Sequence, residues 1–135
     1  MAKLLWAVPC QKIITDQQTN AVSHIEVVEA FLAPEFPITI IPMQISTLWL
    51  QEEINEILAM RLRMRNPQGK LILEFESPKQ MKLTKKRHRV NVSFSNITLD
   101  IPGEYTLIIE QKKSGKWRKE STLPVDFNLM KSQKK

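Results

Sequence analysis

The chain has 135 residues and one cysteine, Cys10. No disulfide can form within it, and a lone cysteine fits a reducing compartment better than a secreted one. Histidine is scarce too: only His24 and His88. One cysteine and two histidines do not make a typical structural zinc site, which needs four converging ligands. The 3 glycines exclude collagen-like or glycine-rich disorder and leave little room for phosphate-cradling loops. No apolar run approaches the ~20 residues of a membrane-spanning helix. The N-terminal run Leu4 to Val8 is shorter than a secretory core of roughly 7–15 residues. Pro9, directly before Cys10, is wrong for lipoprotein cleavage. These absences predict a cytoplasmic protein without membrane association.

Catalytic signatures are missing as well. HExxH, GxSxG, GxxxxGK[ST] and GxGxxG do not occur. Asp16 and Asp100 fall at turns, where their side chains have conformational work to do. Cys10 and His24 lie in adjacent predicted strands, the one pairing that offers a nucleophile and a base. Cysteine is nevertheless among the most buried residue types. Glu74 and Glu76 share a strand face, where a solvated surface explains them without a metal. The expectation is a non-enzyme without cofactors.

What is present is ordinary globular material: 42% apolar and 25% charged residues. That suits one domain over 1–130, followed by a basic disordered tail over 131–135. Short β-rich segments alternate with Pro, Asn, Asp and Gly. Residues 3–15 form a first strand, in which Pro9 demands an edge position or a bulge. DQQTN (16–20) is a turn, and 20–32 the return strand. PEFP (34–37) is a stiff break, and 38–50 a third strand region with an irregularity at Pro42. Residues 51–65 are ambiguous. Ile54, Ile57, Leu58 and Leu62 are spaced as on a helix, whereas Leu58, Met60, Leu62 and Met64 alternate with polar neighbours. Strand is preferred for 56–65, with a helical turn allowed at 51–55. NPQG then closes a hairpin onto 70–76. Two more alternating segments and a last hairpin through KSGK (113–116) bring the total to about eight strands. The predicted fold is all-β: a single antiparallel β-sandwich, immunoglobulin-like, with at most one short helix.

The formal charge is +6 and the isoelectric point about 9.6, which permits attraction to polyanions without requiring it. The cations gather in two places. One is the stretch 79–89, where Lys82, Lys85, Lys86, Arg87 and Arg89 stand without an acid. The other is 112–119, with Lys112, Lys113, Lys116 and Arg118 around Trp117. A phosphate-binding surface would use both, with Trp117 as a stacking face. Yet the arginines of RHRVNVSF occupy the polar phase of a strand, where any half-buried strand carries charge. Glu52, Glu53 and Glu56 precede the arginines of 61–65 as a charge balance or a polar rim. Three apolar residues are out of phase with a one-sided core or close to the terminus: Trp6, Ile72 and Ile108. They are the candidate interface.

Residues 7–37, AVPCQKIITDQQTNAVSHIEVVEAFLAPEFP, and residues 101–111, IPGEYTLIIEQ, together resemble a family of small uncharacterised bacterial proteins built on an immunoglobulin-like sandwich. In that pattern a first strand passes through a small or Cys residue to an acidic turn. A strand rich in Ile and Val leads to a Pro-containing link, and P-G-x-Y opens a late strand. The resemblance implies the fold and a bacterial or phage context. It implies no activity and assigns no site residues. The leading expectation is a non-enzymatic protein-interaction or structural module that meets a protein partner or a second copy. The alternative is nucleic-acid binding through 79–89 and 112–119.

Overall fold

The computed structural model describes residues 2–27, 30–40, 43–79, 81–94 and 97–129. The tail expected at 131–135 and the irregularity expected at Pro42 lie outside the described residues. Two antiparallel sheets pack face to face, and no helix occurs among the described residues. Sheet I contains β1 (Lys3–Thr15), β2 (Val22–Val27), β5 (Met43–Leu50) and β10 (Arg87–Phe94), in the order β10-β5-β1-β2. Sheet II contains β3 (Ala30–Ala33), β7 (Met60–Arg65), β8 (Leu71–Glu76), β12 (Gly103–Lys113) and β13 (Lys116–Leu129), in the order β3-β13-β12-β7-β8. Two short pairs sit beside them: β4 (Ile38–Ile40) with β11 (Ile97–Leu99), and β6 (Ile57–Leu58) with β9 (Met81–Lys82). The described strands number 13 rather than about eight. The excess comes from these two- and three-residue pairs and from the 20–50 region, which divides into several strands.

The order is that of an immunoglobulin-like sandwich. β1, β5 and β10 stand where strands A, B and E stand in one sheet, and β7, β12 and β13 where C, F and G stand in the other. β3 runs parallel to β13, the one parallel pairing described. Within 56–65, Ile57–Leu58 and Met60–Arg65 form strand, as the alternation predicts, and 53–55 make only a turn. In β7 the pattern is strict: Met60, Leu62 and Met64 are buried while Arg61, Arg63 and Arg65 face outward. Ile45 and Trp49 of β5 meet them from the opposite sheet, with Leu107, Ile109 and Tyr105 of β12 closing the core. Pro9 falls where β5 pairs on one side and the β2 ladder has not yet begun, since that ladder starts at Cys10. A bulge lies between Leu4 and Trp6.

Tyr105 ties the corner before β12. Its hydroxyl donates to the Ile101 carbonyl at 2.6 Å, and its ring meets Phe127 edge-on at 5.1 Å. This is the tyrosine corner of such sandwiches. Gly103 precedes it with φ 133°, and a Cβ there would sit 2.7 Å from Pro67 Cγ. Removing the hydroxyl with Tyr105→Phe leaves the half-buried Ile101 carbonyl without this donor. We expect a loss of about 1–3 kcal/mol of unfolding free energy, read from urea denaturation; an unchanged midpoint would show that the corner is held by ring packing alone.

Candidate interaction site at the basic end

Both cationic segments come to one end of the sandwich. Lys82 pairs with Ile57 across β6 and β9. Two residues on, the Ala59 carbonyl accepts the Lys112 N–H at 2.9 Å, so the clusters flank residues 56–59 from either side. The Gln51 N–H donates to the Lys86 carbonyl at 2.7 Å, and the Gln111 amide reaches across to the Ala2 carbonyl at 2.7 Å. Lys82, Lys85, Lys86 and Arg87 are exposed, as are Lys112, Lys116 and Arg118. Lys113 is half-buried and pairs with Glu120 at 3.6 Å.

Trp117 is not a bare platform. Arg61 lies over its ring at 4.5 Å from the centroid, and Lys112 at 5.8 Å. Arg61 belongs to a charge triad on the outer face of sheet II. Glu110 of β12 is 4% exposed and accepts two hydrogen bonds each from Arg61 (3.0 and 3.0 Å) and Arg63 (2.8 and 3.1 Å). Burial alone would raise the Glu110 carboxyl. The hydrogen bonds and charges of Arg61 and Arg63 outweigh it and hold the group below the usual carboxylate range. Ile108, two residues earlier on the same face, is only 5% exposed. Ile72 falls at a bulge between β7 and β8 and packs against the core cluster. These two of the three candidate interface residues therefore present little surface.

Trp6 is half-buried and meets the His24 ring edge-on at 5.2 Å. That contact exposes a feature the alternation does not carry. Trp6, Val8 and Cys10 pair with Leu48, Ser46 and Gln44. They share the outer face of sheet I, because Ile45, Thr47 and Trp49 face the core. Yet Cys10 and Ser46 are buried and Val8 is half-buried. The distal half of the β1–β2 hairpin covers them by lying back across the sheet. Its tip is fixed where an Arg89 guanidinium N–H donates to the Asn20 carbonyl at 3.0 Å. Where hairpin and sheet meet, the Ser46 hydroxyl and His24 Nε2 are buried with no hydrogen-bond partner among the described residues. Cys10 pairs with Val27 and His24 with Ile13, and burial pushes the Cys10 thiol up, away from a reactive thiolate.

Two open clefts result. The first holds about 250 Å³ between hairpin tip and β10, lined by Asn20, Leu48, Lys85, Arg87, His88 and Arg89. The second, about 420 Å³, lies between the 53–57 turn and the β12–β13 turn. Ile54 on its rim is 92% exposed and Ile57 54%. Sequence reasoning missed these isoleucines because it left 51–55 open to a helical turn and placed Ile57 in a strand, and neither reading says that a side chain stands exposed. No group of three or more His, Cys, Asp or Glu residues is placed to hold a metal among the described residues.

No family model matches the chain, and no curated protein matches it. Solved structures do match. One is the crystal structure of the C-terminal domain of wzt, with a TM-score of 0.51 at 9% identity, covering 98% of this chain and 75% of that one. At that identity the likeness extends to the fold alone.

The triad makes stability depend on pH. The folded Glu110 carboxyl lies below its ordinary value, near 4.3. Its contribution is therefore present above that value and lost as pH falls through the lower folded one. Glu110→Gln leaves two partly buried guanidinium groups with a neutral partner, and we expect about 3–5 kcal/mol lost at pH 7. Unfolding of both proteins between pH 7 and pH 3 checks this: the gap should narrow on acidification, and a constant gap would assign the loss to packing.

Proposed function

We propose that the chain is a non-enzymatic binding module that meets a partner protein at the basic end, with Ile54 and Ile57 as its anchors. The carrying observation is the exposure of Ile54, 92%, on a turn that is itself ordered. Glu56 Oε1 accepts the N–H groups of Glu52 and Glu53 at 3.1 and 3.2 Å, and Asn55 holds φ 60°. An isoleucine presented this way gains about 1.5–3 kcal/mol on burial and costs little ordering on binding. The rim is mixed in charge, with Glu53 and Glu56 on one side of the cleft and Lys112 and Lys113 on the other, which favours a partner presenting both signs around an apolar contact. The lone buried Cys10 supports work in the cytoplasm, and the sequence resemblance supports a bacterial host.

The test uses Ile54→Asp and Ile57→Asp, each at an exposed site. Both should leave urea stability within about 0.5 kcal/mol of the parent while abolishing capture of the partner from nuclease-treated lysate. Undiminished capture by both variants would sink the assignment.

A second reading, nucleic-acid binding, is favoured by one observation: the two cationic segments share one end. It predicts that affinity for a labelled single-stranded oligonucleotide falls log-linearly with salt, with a slope of about −0.7 for each phosphate contacted. Because Arg61 already occupies the Trp117 ring, Trp117→Phe should leave that affinity unchanged. An affinity insensitive to salt would rule this reading out.

A further inference from the structure

The geometry points to a binding site for a phosphate group in the cleft between the β1–β2 hairpin tip and the start of β10, distinct from the isoleucine-rimmed surface. Arg87 and Arg89 pair with Leu50 and Leu48 on the outer face of sheet I. Being two residues apart on one strand, their side chains start about 7 Å from each other on the same side, a separation that lets both guanidinium groups reach one tetrahedral anion. Lys85 adds a third cation to the lining, Leu48 an apolar surface, and no acid takes part.

Two further details suit an anion. Arg89 is oriented before any ligand arrives, because one N–H is fixed on the Asn20 carbonyl, and its remaining donors keep a set direction. Asp16, at the base of the same turn, accepts the N–H groups of Gln18 and Thr19 with its carboxylate, at 2.8 and 3.1 Å. It is committed to the turn and not to the arginines. Lys85 and Arg87 form no ion pair among the described residues. A phosphate group answers this excess of positive charge, and forked guanidinium donors fit its free oxygens whether it is a monoester or a diester. The volume, about 250 Å³, holds a phosphate with a small substituent. The phosphate belongs either to a small phosphomonoester or to a nucleic-acid backbone; the chemistry of capture is the same.

The test is an NMR titration of the full ¹⁵N-labelled chain with inorganic phosphate, against sodium chloride at matched ionic strength. The expected result is saturable shifts at Asn20, Leu48, Arg87 and Arg89 with phosphate only. Arg87→Ala, which leaves the Arg89–Asn20 bond intact, should weaken binding about tenfold. A parallel titration with a short oligothymidylate lacking a terminal phosphate separates the sources. Shifts at Asn20 and Arg87 there place a backbone phosphate in the cleft; silence there alongside a phosphate response places a phosphomonoester. Equal shifts from chloride and phosphate, or unchanged affinity in Arg87→Ala, would overturn the assignment.

Discussion

The clamp of Arg61 and Arg63 on Glu110 governs how this sandwich is built. β12 lies between β13 and β7, so its middle cannot be relieved by an edge. Its inner residues fill the core, and its outer residues must also be covered. Glu110 draws two arginines flat against the sheet, and Arg61 in turn shields Trp117. Ile108, opposite Arg63 on the same face, is buried as well. Such a triad is not a large source of stability compared with a well-packed apolar cluster. What it supplies is register. A one-residue slip of β7 against β12 would turn Glu110 or the arginines toward the core, where no partner waits.

Sheet I covers its outer face by a different device. Its own first hairpin is long enough to fold back and bury Cys10 and Ser46. One sheet is thus closed by charged side chains and the other by backbone. Both devices leave the end of the sandwich as the accessible region, where the turns at 53–57 and 113–116 and the start of β10 meet. Loops on a rigid β scaffold are where recognition commonly resides. Here the scaffold holds them through bonds such as Gln51 to Lys86 and Lys112 to Ala59.

The fold was legible in the sequence wherever local pattern and tertiary burial agree. Alternation in Met60–Arg65, the Asp16–Asn20 turn and the Tyr105 strand start all carry their structures openly. The Ile54 region stayed ambiguous, because its spacing satisfies a helix while the alternation after it satisfies a strand. Ile72 and Ile108 stood out correctly as anomalies of phase. Their surroundings were not readable: one sits at a bulge and the other beneath long side chains contributed by the face itself. The hairpin's return over sheet I was invisible for a deeper reason. Strand periodicity records which face a residue takes within its own ladder, and contains nothing about a ladder that bends over another.

That bend gives the chain a built-in optical reporter. Trp49 is sealed in the core and Trp117 sits beneath a guanidinium group, so both indoles keep their surroundings as long as the sheets persist. Trp6 alone rests against a residue of the folded-back arm, the His24 ring. Lifting the arm without unfolding the domain would separate that one pair. The intrinsic emission of a single indole therefore distinguishes an opened hairpin from a melted sandwich.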